Sequence, residues 1–462
     1  MSIRRLNALA GALVCLALAP LPAKAVESFA RQTGQPCSTC HIGAFGPQLT
    51  AYGRAFKIGG YTQNGGDGPG ANIPISGLAI GSFTNTSSSV PTGSVTRRFS
   101  PNNNVALDAV SLFLAGRIGE HSGGFVQGTY SGTSQMFLLD LVDVRPYTDS
   151  FDLGGTELRL GTTVNNTPTV TDPFNSTFAW GYPFVASHLA ATPTAQPILA
   201  NGLAGNSIGL TAYAWYDRAL YLEAGGYQSQ SPYLLAHDGN SYGVGQSKGT
   251  APYLRAAYEW NWNGKSAHVG ALFLQADATP LVSPRHGDGT FGTNGFTDFA
   301  IDGGFQYFGA GDHSFSTYGI FVHENQSLRA SAAASNAANG TSVGSHYTLD
   351  QIRLNASYWF QNTYGATVAW QKSWGPANPV LYGPGAVSGS ANAKPNSNAF
   401  ILEANWVPFG KDGSWGSPWA NLKLGAQYTI YTQFNGASKN YDGFGRNASG
   451  NNTIYLYSWI AF

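Results

Sequence analysis

The chain has 462 residues, including 59 Gly, 26 Phe, 24 Tyr and 11 Trp, and only 10% are charged, against roughly 25% in ordinary soluble domains. So many aromatic residues exclude an intrinsically disordered chain, and 24 basic against 24 acidic residues leave no surplus to meet a nucleic-acid backbone. No run of about 20 apolar residues follows the N-terminus, which excludes a helical membrane protein and leaves an outer-membrane β-barrel, whose apolar residues are spread one in two along each strand.

Residues 1–25 read as a secretory signal. Arg4 and Arg5 precede a short apolar core over 8–19, and Ala23-Lys24-Ala25 offers a small-residue cleavage site before Val26. Cys15 falls within the signal, and Val14 is bulky where a lipoprotein signal expects a small residue, so Cys37 and Cys40 are the two mature cysteines.

Residues 26–72 form the next unit. It holds Pro36-Cys37-Ser38-Thr39-Cys40-His41, then a helix-like spacing of Leu49, Tyr52 and Phe56, then a Gly-rich linker over 59–70. Cys-x-x-Cys-His is a c-type haem attachment signature. Two thiols three positions apart reach the two vinyl groups of one haem as thioethers, and His41, next in line, falls beneath the iron as its proximal ligand. The competing readings are a Cys37–Cys40 disulfide, chemically easy in an exported protein, and a zinc half-site, which lacks a second Cys/His pair nearby. A segment of about 40 residues is marginal as a free-standing domain. It is therefore expected to plug or cap the lumen at the periplasmic mouth.

From about Ile73 to Phe462 the period becomes two. Glu157, Arg159 and Thr163 alternate with Leu158, Leu160 and Val164; Arg255 and Glu259 with Leu254, Tyr258 and Trp260; Gln351, Arg353 and Asn355 with Ile352, Leu354 and Tyr358. The same holds for Glu403 and Asn405 against Leu402 and Trp406, and for Lys423 and Gln427 against Leu424 and Tyr428. Short links at 119–123, 217–218, 263–264, 309–312 and 361–362 alternate with long ones at 86–103, 165–205, 230–250, 279–295, 325–345, 375–396 and 434–451. That asymmetry predicts an all-β, transmembrane antiparallel barrel of about 16 strands over 73–462, with short periplasmic turns and long outer loops. The final segment ends on Phe462 with Ile454, Leu456 and Ile460 on the same face, as outer-membrane barrels end.

The segment over 26–72 contains no second His and no Met, so a sixth ligand to the iron has to come from the barrel or from water. Candidates are Met136, His268 and His323, while His121 and His313 fall in short turns and His188, His237, His286 and His346 in or beside long loops. The inward charges Arg159, Arg255, Arg353, Lys423, Glu157, Glu259 and Glu403 either pair with haem propionates or solvate a channel.

The run Ser28-Phe29-Ala30-Arg31-Gln32-Thr33-Gly34, then Cys37, Cys40 and His41, then Pro47, Leu49, Tyr52-Gly53-Arg54, Phe56-Lys57 and Gly60-Tyr61, resembles the N-terminal segment of fused outer-membrane monohaem cytochrome–porins of iron-oxidising bacteria and their relatives. The likeness covers about 35 residues; beyond it the match is architectural. It implies one haem c bound through Cys37 and Cys40 with His41 on the iron. It also implies electron transfer from extracellular Fe(II) to a periplasmic soluble cytochrome, an Fe(II):cytochrome c oxidoreductase activity, by a protein seated in outer-membrane lipid. Two other readings stay open: a transport porin with a haem-bearing plug or redox-sensitive gate, and a haem enzyme such as a peroxidase.

Overall fold

The structure is a computed structural model that describes residues 27–66, 73–91, 98–177, 181–309, 312–340, 342–411, 413–414 and 419–462. The signal over 1–25 lies outside them. Sixteen strands form one antiparallel barrel. They are β1 (Ile75–Thr86), β2 (Asn104–Arg117), β3 (Gly123–Ser131), β4 (Met136–Asp152), β5 (Glu157–Asn165), β6 (Ser207–Tyr216), β7 (Leu220–Ser229) and β8 (Ala251–Trp262). The second half comprises β9 (Lys265–Thr279), β10 (Asn294–Phe308), β11 (His313–Ser327), β12 (His346–Phe360), β13 (Tyr364–Trp374), β14 (Ser397–Trp406), β15 (Asn421–Gln433) and β16 (Thr453–Ala461). Each pairs with its neighbours in sequence, and β1 pairs with β16 from Leu78↔Ala461 to Thr86↔Thr453, so no barrel edge is left open.

Side-chain alternation sets the two surfaces. On β8, Tyr253, Arg255, Ala257 and Glu259 are buried, whereas Leu254, Tyr258 and Trp260 are exposed. Outward residues such as Leu112, Leu210, Phe299, Ile301, Val368 and Phe400 make an apolar belt around the barrel. Exposed Tyr216, Trp260, Trp262, Tyr307, Tyr358, Tyr364 and Trp406 cluster where the short links lie, as an interfacial girdle does. An apolar belt on a closed barrel is unfavourable in water and favourable in lipid. The protein is a transmembrane barrel of the outer-membrane class, with the start of β1, the end of β16 and the short links on the periplasmic side.

The link between β3 and β4 is also short, only 132–135, although it lies on the long-loop side. The link over 166–206 does not extend outward. Its Thr167, Thr169, Val170, Asp172, Phe174, Ser176, Tyr182 and Val185 are all buried, so it folds into the lumen.

The N-terminal segment fills the lumen from the other end. It consists of α1 (Glu27–Thr33), the single turn α2 (Cys37–Cys40), a 3-10 turn at Ile42–Ala44 and α3 (Ala51–Ile58). Its contacts go to the periplasmic halves of strands around most of the wall: Tyr213 Oη donates to the Ile58 carbonyl at 2.6 Å, Gln306 Nε2 to Leu49 at 2.8 Å, and Asn421 Nδ2 to Ala44 at 2.7 Å. Gly43 sits at φ +67° with the Trp359 indole directly where a Cβ would go. Gly43→Val should therefore unseat the plug and spare the barrel. Heat-modifiable migration on a denaturing gel should persist while added protease gains access to residues 27–66. A plug as protected as wild type would refute this docking.

Candidate functional site: the plug cavity

The geometry at Cys37–His41 follows from local rules. Gly34 at φ +69° turns the chain after α1, Pro36 opens α2, and the His41 amide donates to the Cys37 carbonyl at 2.9 Å to close its single turn. Cys37 and Cys40 are thus one helical turn apart, on one face. His41 leaves the turn in extended conformation and bridges to Leu49. Thr50 caps α3 by accepting from Gly53, and its amide donates to the Cys40 carbonyl at 3.0 Å. Gly53 is required there, because a Cβ would collide with the Cys40 carbonyl.

Cys37, Cys40 and His41 all line one cavity, of about 1310 Å³ including its open mouth. Plug residues Phe29, Phe45, Phe56 and Tyr61 form one side; Leu78, Phe113, Phe125 and Trp459 of the wall form the other. Val170 and Asn175 of the inward loop close the outer end. Phe29 stacks on Tyr61 at 5.1 Å and meets Phe56 edge-on at 5.1 Å, and Phe45 meets Trp459 edge-on at 5.1 Å. Both thiols are free.

Burial tunes the ionisable groups of the plug. It lowers the His41 imidazole to about 4 against a smaller opposite pull from the Gly46 and Gln48 carbonyls, so the ring is neutral, and its buried Nδ1 makes no hydrogen bond. Burial pushes the Cys40 thiol up to about 11 and the Cys37 thiol well above the usual range, the latter reinforced by the Glu27 carboxyl 3.7 Å from Sγ. Glu27 is itself raised to about 8, burial outweighing the Cys37 thiol and Arg31, which pull it down. Two protonated thiols and a neutral imidazole opening onto one apolar slot can hold a flat hydrophobic group at its edge and from one face.

One buried ion pair and several buried hydrogen bonds anchor the plug. Arg54 forks onto Glu259 at 2.6 and 3.2 Å and reaches Ser266 at 2.7 Å. Lys57 donates to the Asp172 carbonyl at 2.9 Å and to Asn175 Oδ1 at 3.2 Å, and Asn175 Nδ2 donates to the Pro47 carbonyl at 2.6 Å. Tyr61 Oη donates to Asp143 at 2.6 Å, and Arg145 lies 3.3 Å from the same carboxylate.

The inward charges named from sequence mostly pair with protein partners. Arg255 holds Asp172 at 3.2 Å as well as Asp302, Lys423 faces Glu403 at 3.6 Å, Arg159 meets Glu157 at 3.0 Å, and Arg353 packs 5.5 Å from the Tyr182 ring. None of the barrel His or Met candidates lines the plug cavity. Met136 is exposed at the outer end of β4, and His323 pairs with Asp350 at 2.7 Å. His268 contacts Asp302 at 3.2 Å and stacks on Phe174 at 4.4 Å, beside a smaller cavity that shares Pro47, Leu49 and Asn175 with the first. Among the described residues no cluster of three or more His, Cys, Asp or Glu side chains forms a metal-holding group. Sequence reasoning missed Asp143, Asp172, Asp302 and Asn175, whose only signal was polarity.

No family model matches the chain, and no curated protein does. Solved structures similar to it include OprB of Pseudomonas putida (10% identity, 84% of this chain and 93% of that one, TM-score 0.47). Others are the outer membrane channel DcaP of Acinetobacter baumannii (9%, 84% and 96%, 0.44) and an anion-selective porin from Comamonas acidovorans (14%, 84% and 97%, 0.42). Likeness at that level transfers no residue role.

Two outcomes follow. Arg54→Met strands Glu259 and should weaken plug docking by about 3–5 kcal/mol, with Arg54→Met plus Glu259→Gln recovering part of the loss. The urea dependence of plug protease protection measures it, and equal single and double variants would count against the pair. The second concerns pH. A docked Glu27 keeps a proton that an undocked one, at its ordinary 4.5, releases, so docking weakens as pH rises towards about 8. His41 acts oppositely between about 4 and its ordinary 6.5, because only the undocked ring is protonated there. From about 6.5 to 8 the Glu27 effect stands alone among the shifted plug groups. Protection should decline over that interval, and Glu27→Gln should flatten the slope.

Proposed function

We propose that the protein transfers electrons across the outer membrane through a single haem c, oxidising extracellular Fe(II) and passing the electrons to a periplasmic soluble cytochrome. The observation that carries this reading is convergence: Cys37, Cys40 and His41 all open onto one apolar cavity inside the barrel. The residues present suit the group. Cys37 and Cys40 would hold it as thioethers, the neutral His41 imidazole would ligate the iron, and the aromatic walls would exclude water. Haem bound there supplies a one-electron couple. Among the described residues no His or Met other than His41 lines the cavity.

The chain's own part is positioning. The plug lies within the barrel, against its inner wall, so a group held by Cys37, Cys40 and His41 would sit between the two mouths. Arg54, Lys57 and Tyr61 fix it to the wall and to the inward loop. Aqueous ferrous iron is the substrate and reacts by outer-sphere transfer, which needs no inner-sphere iron site.

The second reading, a transport porin with a haem-bearing plug or gate, is favoured by the strand number, which lies in the porin range. Stopped-flow mixing of oxidised protein with Fe(II) separates the two. Rapid haem reduction supports electron transfer; an unreduced haem together with solute flux into liposomes supports the porin. Cys37→Ala plus Cys40→Ala should insert as a barrel and lose haem staining. His41→Ala should keep covalent haem and shift its optical spectrum and potential, and unchanged Fe(II) oxidation in that variant would remove His41 from the role assigned.

A further inference from the structure

A second cavity, of about 1060 Å³ including its mouth, lies in the outer half of the barrel between the inward loop and strands β12 to β16. Its chemistry differs from that of the plug cavity. Arg353 is the one cation among the described residues that line it, and no Asp, Glu or Lys does. The rest of the polar lining is amide and hydroxyl, including Gln351, Gln371, Thr429 and Tyr431. The Gln371 amide and the hydroxyls of Thr429 and Tyr431 make no hydrogen bond to other described residues, so their capacity faces the cavity. The Tyr182 ring, 5.5 Å from the Arg353 guanidinium, backs the cation from the inward loop.

We propose that this cavity is a binding site for a small hydroxylated carboxylate anion. The guanidinium takes the carboxylate through charge-assisted hydrogen bonds, which are the strong ones at such a site. The neighbouring amide and hydroxyls take the ligand's hydroxyl groups, as sites built from a few placed polar groups do. A cation of the same size meets Arg353 in a lining whose described residues include no carboxylate, and a neutral polyol forgoes the charged contact. The site is independent of the haem reading, because none of these residues lines the plug cavity.

The test is calorimetric titration of the purified full-length protein in detergent with gluconate, glucose and glucosamine at a pH where the amine is charged. Gluconate should saturate one site, with glucose about tenfold weaker or more and glucosamine without measurable binding, since one charge-assisted bond contributes about 1.5–3 kcal/mol. Arg353→Gln should bring gluconate down to the glucose level. Gln371→Ala and Thr429→Val should each weaken gluconate a few-fold, and they keep the test open should the Arg353 variant fail to fold. Gluconate no tighter than glucose, an affinity unchanged in Arg353→Gln, or one unchanged in both other variants would each overturn the proposal.

Discussion

A sixteen-strand barrel encloses more space than its own side chains can fill, and this one lines that space with charge. Arg145, Arg255 and Lys423 are fully buried, as are Asp143, Asp172 and Asp302. A buried ion without a partner is strongly unfavourable. The architecture inside the wall answers that constraint. The plug brings Arg54 to Glu259 and Tyr61 to Asp143; the inward loop brings Asp172 to Arg255 and to Lys57. Plug, loop and wall are therefore tied together by buried polar contacts, and withdrawing the plug would leave Glu259 without its Arg54 partner.

The same division explains the two cavities. Where the plug meets β1, β2, β3 and β16, the inward face turns aromatic and aliphatic, with Leu78, Phe113, Phe125 and Trp459 pointing at the Cys-x-x-Cys-His turn. Where the inward loop meets β12 to β16 in the outer half, that face is amide and hydroxyl. One chain thus keeps a mainly apolar cavity on the periplasmic side and a more polar one on the outer side.

Much of this was legible in the sequence. Alternation on β5, β8, β12, β14 and β15 is clean because every second residue faces lipid, which tolerates few polar groups. The Cys37–His41 motif is local, so its spacing survives without knowledge of the fold. Other parts were not legible. The inward course of 166–206 carries no period, because its buried Thr167, Thr169, Thr171 and Asp172 are polar residues satisfied by long-range partners. The wall of the plug cavity was hidden for the opposite reason. Phe113 and Trp459 sit on the face that a water-filled pore would keep polar, and they only make sense once the plug is in place. The pairing of lumenal charges depends on register between strands distant in sequence, which alternation alone does not set.

The position of the plug makes its seat a product of the whole barrel. Residues 27–66 precede β1, yet they end up enclosed by a ring whose last joint is the contact of β1 with the C-terminal strand. The plug's wall contacts, from Tyr213 and Gln306 to Asn421, are therefore complete only in the closed ring.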